Sequence, residues 1–231
     1  MITLYPYEEL GNADHGWLNA HYHFSFSDYQ NDNRRGFGVL KVINDDIIKA
    51  GTGFDTHPHR DMEIITYVRQ GAITHKDSKG NEGKTKAGDV QVMSAGTGIF
   101  HSEYNLEDTD TNLYQIWIEP KELGVEPSWS AKEFPKEPVS DKLKLLVSGN
   151  KNDDALFINQ DAKIYAGTLT KDTIINHNLE QQAYLLVSQG TIEIDNQKLA
   201  KGDGAEITEL NTVSIKALDN AEILLIEIPK K

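Results

Sequence analysis

Apolar residues along this chain cluster in short runs separated by polar turns. "FGVLKVI", "EIITYV", "GDVQVM", "NLYQIWI", "LKLLV", "AYLLV", "TIEI" and "EILLIEI" are rich in Val, Ile, Leu and Tyr. Gly, Asn and Asp clusters such as "DSKGNEG", "EIDNQ" and "AKGDG" divide them, as strands joined by tight turns require. Helical periodicity is scarce, and "SDKLKLLVS" fits either state. Many short strands at close spacing predict an all-β chain built as a sandwich or barrel.

The pattern occurs twice. "YVRQGAIT" (67–74) resembles "LVSQGTIE" (186–193), and "KAGDVQVM" (86–93) resembles "AKGDGAEI" (200–207). Between the copies lie Pro120, Pro127, Pro135 and Pro138, four of the seven prolines, which suit a surface crossing better than central strands. Two β-barrel-like domains of common ancestry are expected: 1–120, a linker over 121–140, and 141–231. Gapless alignment on Gly71 and Gly190 sets Asn176 opposite His57, Asn178 opposite His59 and Gln182 opposite Glu63. Alignment on Gly88 and Gly202 sets Ile215 opposite His101 and Ala217 opposite Glu103. The second copy therefore lacks whatever chemistry the first carries, and the barrel itself does not need those side chains.

Composition narrows the function. A net charge of −13, from 36 acidic against 23 basic residues, opposes contact with nucleic acid or anionic membrane. No apolar run is long enough to span a bilayer. The absence of cysteine excludes disulfides and thiolate chemistry. The opening "MITLYPYEELGNADHG" has no basic-then-apolar leader, so a cytoplasmic monomer is the expectation.

Candidate chemistry sits in the first half. Residues i and i+2 of a strand share a face, so His57 and His59 in "GFDTHPHRDMEIITYV" project together, as do His101 and Glu103 in "GIFHSEYN". On neighbouring strands the two pairs place three imidazoles and a carboxylate around one point. That donor set suits Fe(II), and also Mn, Co, Ni, Cu or Zn, with open positions for substrate or oxygen. His21 and His23 form a second H-x-H, but without a partner pair they are read as structural or as supports behind the ligands. His75 is read as a hydrogen-bonded edge histidine. Glu63 shares the face of His59 one layer away and ranks below Glu103 as a ligand.

These motifs resemble the cupin superfamily and, within it, the pirin family. Gly51, His57, His59, Glu63 and Gly71 follow the first cupin motif, with one extra residue before the last glycine. Gly88, Gly96, His101 and Asn105 follow the second, with Ser94 in place of proline and four residues between Gly96 and His101. "MSAGTGIFHSEYN" is similar to the pirin form, as are "HFSFSDY", "VINDDII", "DSKGN" and "YQIWIEP". The resemblance implies a bicupin, two double-stranded β-helix (jelly-roll-like) barrels packed together, the second degenerate and without metal ligands. It implies one iron, Fe(II), held by His57, His59, His101 and Glu103, with Glu63 not a ligand. It further implies a dioxygenase that cleaves a quercetin-like flavonol with O₂ and releases carbon monoxide, Glu103 acting as both ligand and base. Phe54, Met93 and Trp117 are candidates to hold the flat substrate. Two other functions stay open: a regulatory protein whose metal state sets affinity for a protein partner, and a metal-dependent isomerase or hydrolase.

Overall fold

The computed structural model describes residues 1–230. Among them no α-helix forms, and the one helical element is a 3-10 turn at Tyr7–Glu9. No helix of the described residues is long and apolar enough to cross a membrane. The backbone hydrogen bonding therefore lies almost wholly in antiparallel ladders and the turns between them.

Two compact units are present, Gly11–Pro135 with Leu156–Gln160, and Met1–Leu10 with Lys136–Ala155 and Asp161–Lys231. Their limits differ from the boundaries expected at 120 and 140. Ile2–Tyr5 belongs to the second unit because it pairs with Gly204–Ile207. The proline-rich stretch is not all crossing: Ser128–Lys132, between Pro127 and Pro135, forms an edge strand on Val90–Ser94.

The first unit has two sheets. One runs Ser128–Lys132, Val90–Ser94, Glu63–Gln70, Thr111–Ile118, Leu40–Ile48, Leu18–Tyr22, Gly11–Asp14. The other runs Gly53–His59, Ile99–Tyr104, Ala72–Asp77, Glu82–Lys86. Leu18, Ala20, Tyr22, Ile48, Val68 and Leu113 of the large sheet pack with Ile73 of the small one. A separate apolar cluster gathers Ile64, Met93, Ala95 and Ile99.

The second unit repeats the plan. One sheet includes Ile2–Tyr5, Gly204–Ile207, Gln182–Gln189, Ala221–Ile228, Lys163–Leu169 and Lys144–Ser148; the other is Ile174–Asn178, Thr212–Ala217, Thr191–Ile194, Gln197–Ala200. Its interior is one continuous apolar cluster drawn from both sheets, including Leu185, Val187, Ile223 and Leu225 against Ile175, Ile192, Leu199 and Ile215. Each such side chain stabilises the fold by roughly 1.5–3 kcal/mol on full burial. The repeat extends to the turns. Gly71 and Gly190 both take φ of 75°, and a Cβ there would lie 2.5 Å from Thr111 Oγ1 or 2.2 Å from the Asn220 carbonyl oxygen. Only glycine meets both conditions. The architecture is the bicupin expected from the sequence.

The register corrects the gapless alignment by one residue. His101 lies opposite His57 in the first unit, whereas Ile215 lies opposite Ile175 in the second and Asn176 faces Ser214. Ile175 thus takes the place of His57, and His177, opposite Val213, takes the place of His59, which lies opposite Ile99. His177 is bonded to Glu227 (Nε2 to Oε1, 2.9 Å).

Candidate metal centre

Strand geometry builds the site. Gly53–His59 and Ile99–Tyr104 pair with His57 opposite His101 and His59 opposite Ile99, and the register shifts between His101 and Glu103. A ligand nitrogen from each of His57, His59 and His101 falls in a group whose members all lie within 4.8 Å of one another. Their rings meet at centroid distances of 4.8, 4.5 and 4.9 Å. Glu103 enters a second, overlapping group with His101 and His75.

Hydrogen bonds decide which nitrogens are free. His57 Nδ1 lies 2.6 Å from the Asp55 carbonyl oxygen and donates to it, which leaves Nε2 with its lone pair. His75 Nε2 donates to Asp77 Oδ2 at 2.9 Å, and its Nδ1 lies 3.4 Å from His101 Nδ1. His101 Nε2 is a buried nitrogen with no hydrogen-bond partner among the described residues. Burial, with His57 contributing, holds His59 down to about 4. Burial, then His57 and His59, holds His101 down to about 2. His59 and His101 are thereby kept in the neutral form in which histidine ligates a cation, and the donor set with His57 fits a divalent transition metal.

Glu103 is 2% exposed. Its Oε1 accepts from Gln91 Nε2 at 2.7 Å and Thr66 Oγ1 at 3.1 Å, and its Oε2 accepts from Gln115 Nε2. Thr85 Oγ1 orients the Gln91 amide from behind. Burial raises the Glu103 pKa; His75, Gln115, Thr66 and His57 oppose that rise. The result is a carboxyl more basic than usual and fixed in direction.

A cavity of about 370 Å³ opens onto the three histidines and Glu103, within the range of roughly 300–1,000 Å³ typical of small-molecule sites. Trp117, Phe26 and Phe54 are part of its wall. Trp117 meets the His59 ring edge-on at 5.0 Å, and Phe26 meets Trp117 edge-on at 5.5 Å.

The Pirin family profile matches residues 5–118, and a profile described as the quercetinase C-terminal cupin domain matches 145–228. A Caulobacter vibrioides protein named pirin-like protein is 50% identical, across 98% of this chain and 99% of its own. The chain belongs to the pirin family. Among pirin relatives, the Escherichia coli protein named quercetin 2,3-dioxygenase is 43% identical, with 99% of both chains covered. A solved structure described as bacterial pirin YhhW from Escherichia coli in complex with nickel(II) superposes with a TM-score of 0.93 at 41% identity, covering 100% of both chains.

Two expectations for this pirin, those for Met93 and His75, are corrected. Met93 does not face the cavity; it is 3% exposed and packs with Ile64, Ala95 and Ile99. His75 is hydrogen-bonded but not at an edge: it is fully buried on a strand flanked by two others and stacks on Trp129 at 4.9 Å. Glu63 is also fully buried, yet its Oε2 accepts from Ser94 Oγ at 2.6 Å and the Asn159 amide at 3.1 Å, away from the cavity. His23 is 1% exposed and held down to about 3, chiefly by burial. Gln91, Gln115, Thr66 and the His75–Asp77 pair are site residues that motif reading passed over, because their strands meet the ligand strands only in three dimensions.

Proposed function

We propose that this pirin is a metal-dependent dioxygenase that opens the central ring of a quercetin-like flavonol with O₂ and releases carbon monoxide. The observation that carries the reading is a buried, donor-clamped carboxyl beside three converging imidazoles at the end of an aromatic-walled cavity. His57, His59, His101 and Glu103 would hold the ion, Fe(II) first and Ni(II) as the alternative that the nickel-bound relative supports. When bound, the metal supplies Lewis acidity that favours the oxyanion of the flavonol 3-hydroxyl.

The chain's own residues do the rest. Glu103 Oε2 or Oε1 accepts the 3-hydroxyl proton, its basicity raised by burial toward the range useful for general-base work. Gln91, Gln115 and Thr66 keep that carboxyl aimed as its charge changes. Trp117, Phe26 and Phe54 offer ring faces to a planar substrate and exclude water from the reacting end. The names of the relatives support the same class of substrate.

The test is quercetin turnover by metal-depleted protein reloaded with Fe(II) or Ni(II), followed as flavonol absorbance under air and under argon. Oxygen-dependent loss with carbon monoxide release, abolished in His57→Ala and reduced at least about a hundredfold in Glu103→Gln, is the expected result. Tight metal binding without turnover of any flavonol would return the assignment to a metal-dependent regulatory protein. Turnover undiminished under argon would return it to an isomerase or hydrolase.

A further inference from the structure

One wall of the cavity carries polar groups that the chemistry above does not use. Leu40–Ile48 reads LKVINDDII, an apolar strand interrupted by three consecutive polar residues. Alternation divides them. Asp45 forms an ion pair with Arg69, whereas Asn44 and Asp46, two residues apart, both line the cavity. Their side chains are 5% and 2% exposed. Asn44 Oδ1 and Asp46 Oδ1 are buried and accept no hydrogen bond. In a chain whose other cavity carboxyl, Glu103, is bonded at both oxygens, two orphaned acceptors on residues that line one cavity stand out. Leaving such an acceptor unmet is unfavourable, and a ligand donor removes that penalty on binding.

Their place is set by sheet pairing. Asn44 lies opposite Gln115, whose amide clamps Glu103, and Asp46 lies opposite Leu113. On the other side Tyr22 and Ala20 flank them. Asn44 and Asp46 thus belong to the large sheet, and the histidines and Glu103 belong to the small one. The cavity is therefore lined by the ligand residues from one sheet and by Asn44 and Asp46 from the other.

We propose that Asn44 and Asp46 are specificity residues that accept hydrogen bonds from hydroxyl groups of the substrate other than the one reacting at Glu103, so that the pocket selects polyhydroxylated planar aromatics over apolar ones of the same outline. The proposal rests on the flavonol reading of the site and names what that reading leaves open, which part of the substrate the protein recognises. Burial, then Asp45 and Glu103, raises the Asp46 pKa, with Arg69 opposing. A site built to pair hydroxyls rejects analogues that lack them, because its own polar groups then stay unpaired.

The experiment measures anaerobic binding of 3-hydroxyflavone, galangin, kaempferol and quercetin to Ni(II)-loaded protein by quenching of tryptophan fluorescence, with turnover under air measured in parallel. The wild type is expected to bind quercetin about tenfold or more tighter than 3-hydroxyflavone. That ratio should collapse toward one in Asp46→Leu and shrink in Asn44→Leu, while Asp46→Asn, which keeps an acceptor oxygen, should hold it within a few-fold. If Asp46→Leu fails to fold, judged by its circular dichroism and metal stoichiometry, Asn44→Leu and Asp46→Asn carry the comparison. Discrimination that persists unchanged in the leucine variants overturns the proposal and leaves the dioxygenase reading standing. Discrimination lost in those variants, with no flavonol turned over by any protein, supports the recognition wall and overturns the dioxygenase reading. No measurable binding of any of the four overturns both.

Discussion

At the scale of single residues, the site is a set of histidines pointed by their neighbours, with burial lowering the pKa of His59 and His101. His101 shows how. Its Nε2 can face a cation only while Nδ1 carries the proton, the arrangement that suits a His75 donating through Nε2 to Asp77 and accepting at its own Nδ1. Asp77 is itself held below the ordinary carboxylate range: burial pushes it up, but hydrogen bonds from His75, the Asn81 side chain and backbone, and the Lys79 amide outweigh this. Replacing His75 with Leu should weaken Ni(II) binding about 10–100-fold, measured by competition with a chelator, and should leave His101 as a mixture of tautomers in long-range ¹⁵N NMR of the metal-free protein. His23 makes a prediction about pH. Its folded pKa, about 3, lies below the unfolded value of about 6.5, so between these values the folded state binds fewer protons. Stability is then full above pH 6.5 and falls as pH drops below it, approaching about 1.4 kcal/mol per pH unit. Urea midpoints at pH 7.5 and 5.5 should differ less in His23→Gln than in the wild type.

At the scale of strands, the ligand pairs depend on how closely two backbones approach. A Cβ on Gly53 would lie 2.3 Å from the Glu103 carbonyl oxygen and 2.5 Å from Tyr104 Cα. Both contacts are to backbone, so Gly53→Ala must separate Gly53–His59 from Ile99–Tyr104, the strands that bring His57 opposite His101. That substitution should cost about 1–3 kcal/mol of stability, in the range of overpacking, and weaken metal binding together with it. Denaturant melts and metal titration of the same preparation check both. The strand scale is also where motif reading succeeded best. The spacing of His57 and His59, and of His101 and Glu103, is enough to place each pair on one face, because alternation is a property of the strand itself. It failed where an inward turn of the chain was needed. Neither Met93 nor His75 announces in sequence whether its strand faces the cavity or a second apolar cluster, since both faces of these central strands are buried.

At the scale of the molecule, the same fold is made twice and equipped once. The second unit fills the positions of His57 and His101 with Ile175 and Ile215, both buried in a continuous apolar core. The first unit gives up that continuity for a polar centre, which stabilises nothing until a ligand or ion satisfies it. Metal should therefore act on one unit. In hydrogen exchange, adding Ni(II) to metal-depleted protein should increase protection at Gly53–His59 and Ile99–Tyr104 and leave Gln182–Gln189 and Ala221–Ile228 unchanged; equal protection everywhere would show a linkage the separate cores do not provide. The interleaved limits of the units bear on truncation. A fragment of 141–231 alone lacks Ile2–Tyr5 and leaves the Gly204–Ile207 edge unpaired, an invitation to aggregation that no boundary read from composition could foresee.

What the sequence determined alone is local or repetitive: the all-β class, the duplicated plan, the emptiness of the second copy, and the four candidate ligands with their i, i+2 spacing. These follow from strand periodicity and turn chemistry, which act over a few residues. The one-residue error in aligning the second copy came from the same limitation, since register is set by cross-strand hydrogen bonds and not by counting from a glycine. Only the tertiary structure decided that Gln91, Gln115 and Thr66 clamp Glu103, that Asp77 reaches His101 through His75, and that Asn44 and Asp46 line the same cavity as the histidines. Each of those contacts joins strands from different parts of the chain, and which strands become neighbours is settled by the packing of two whole sheets.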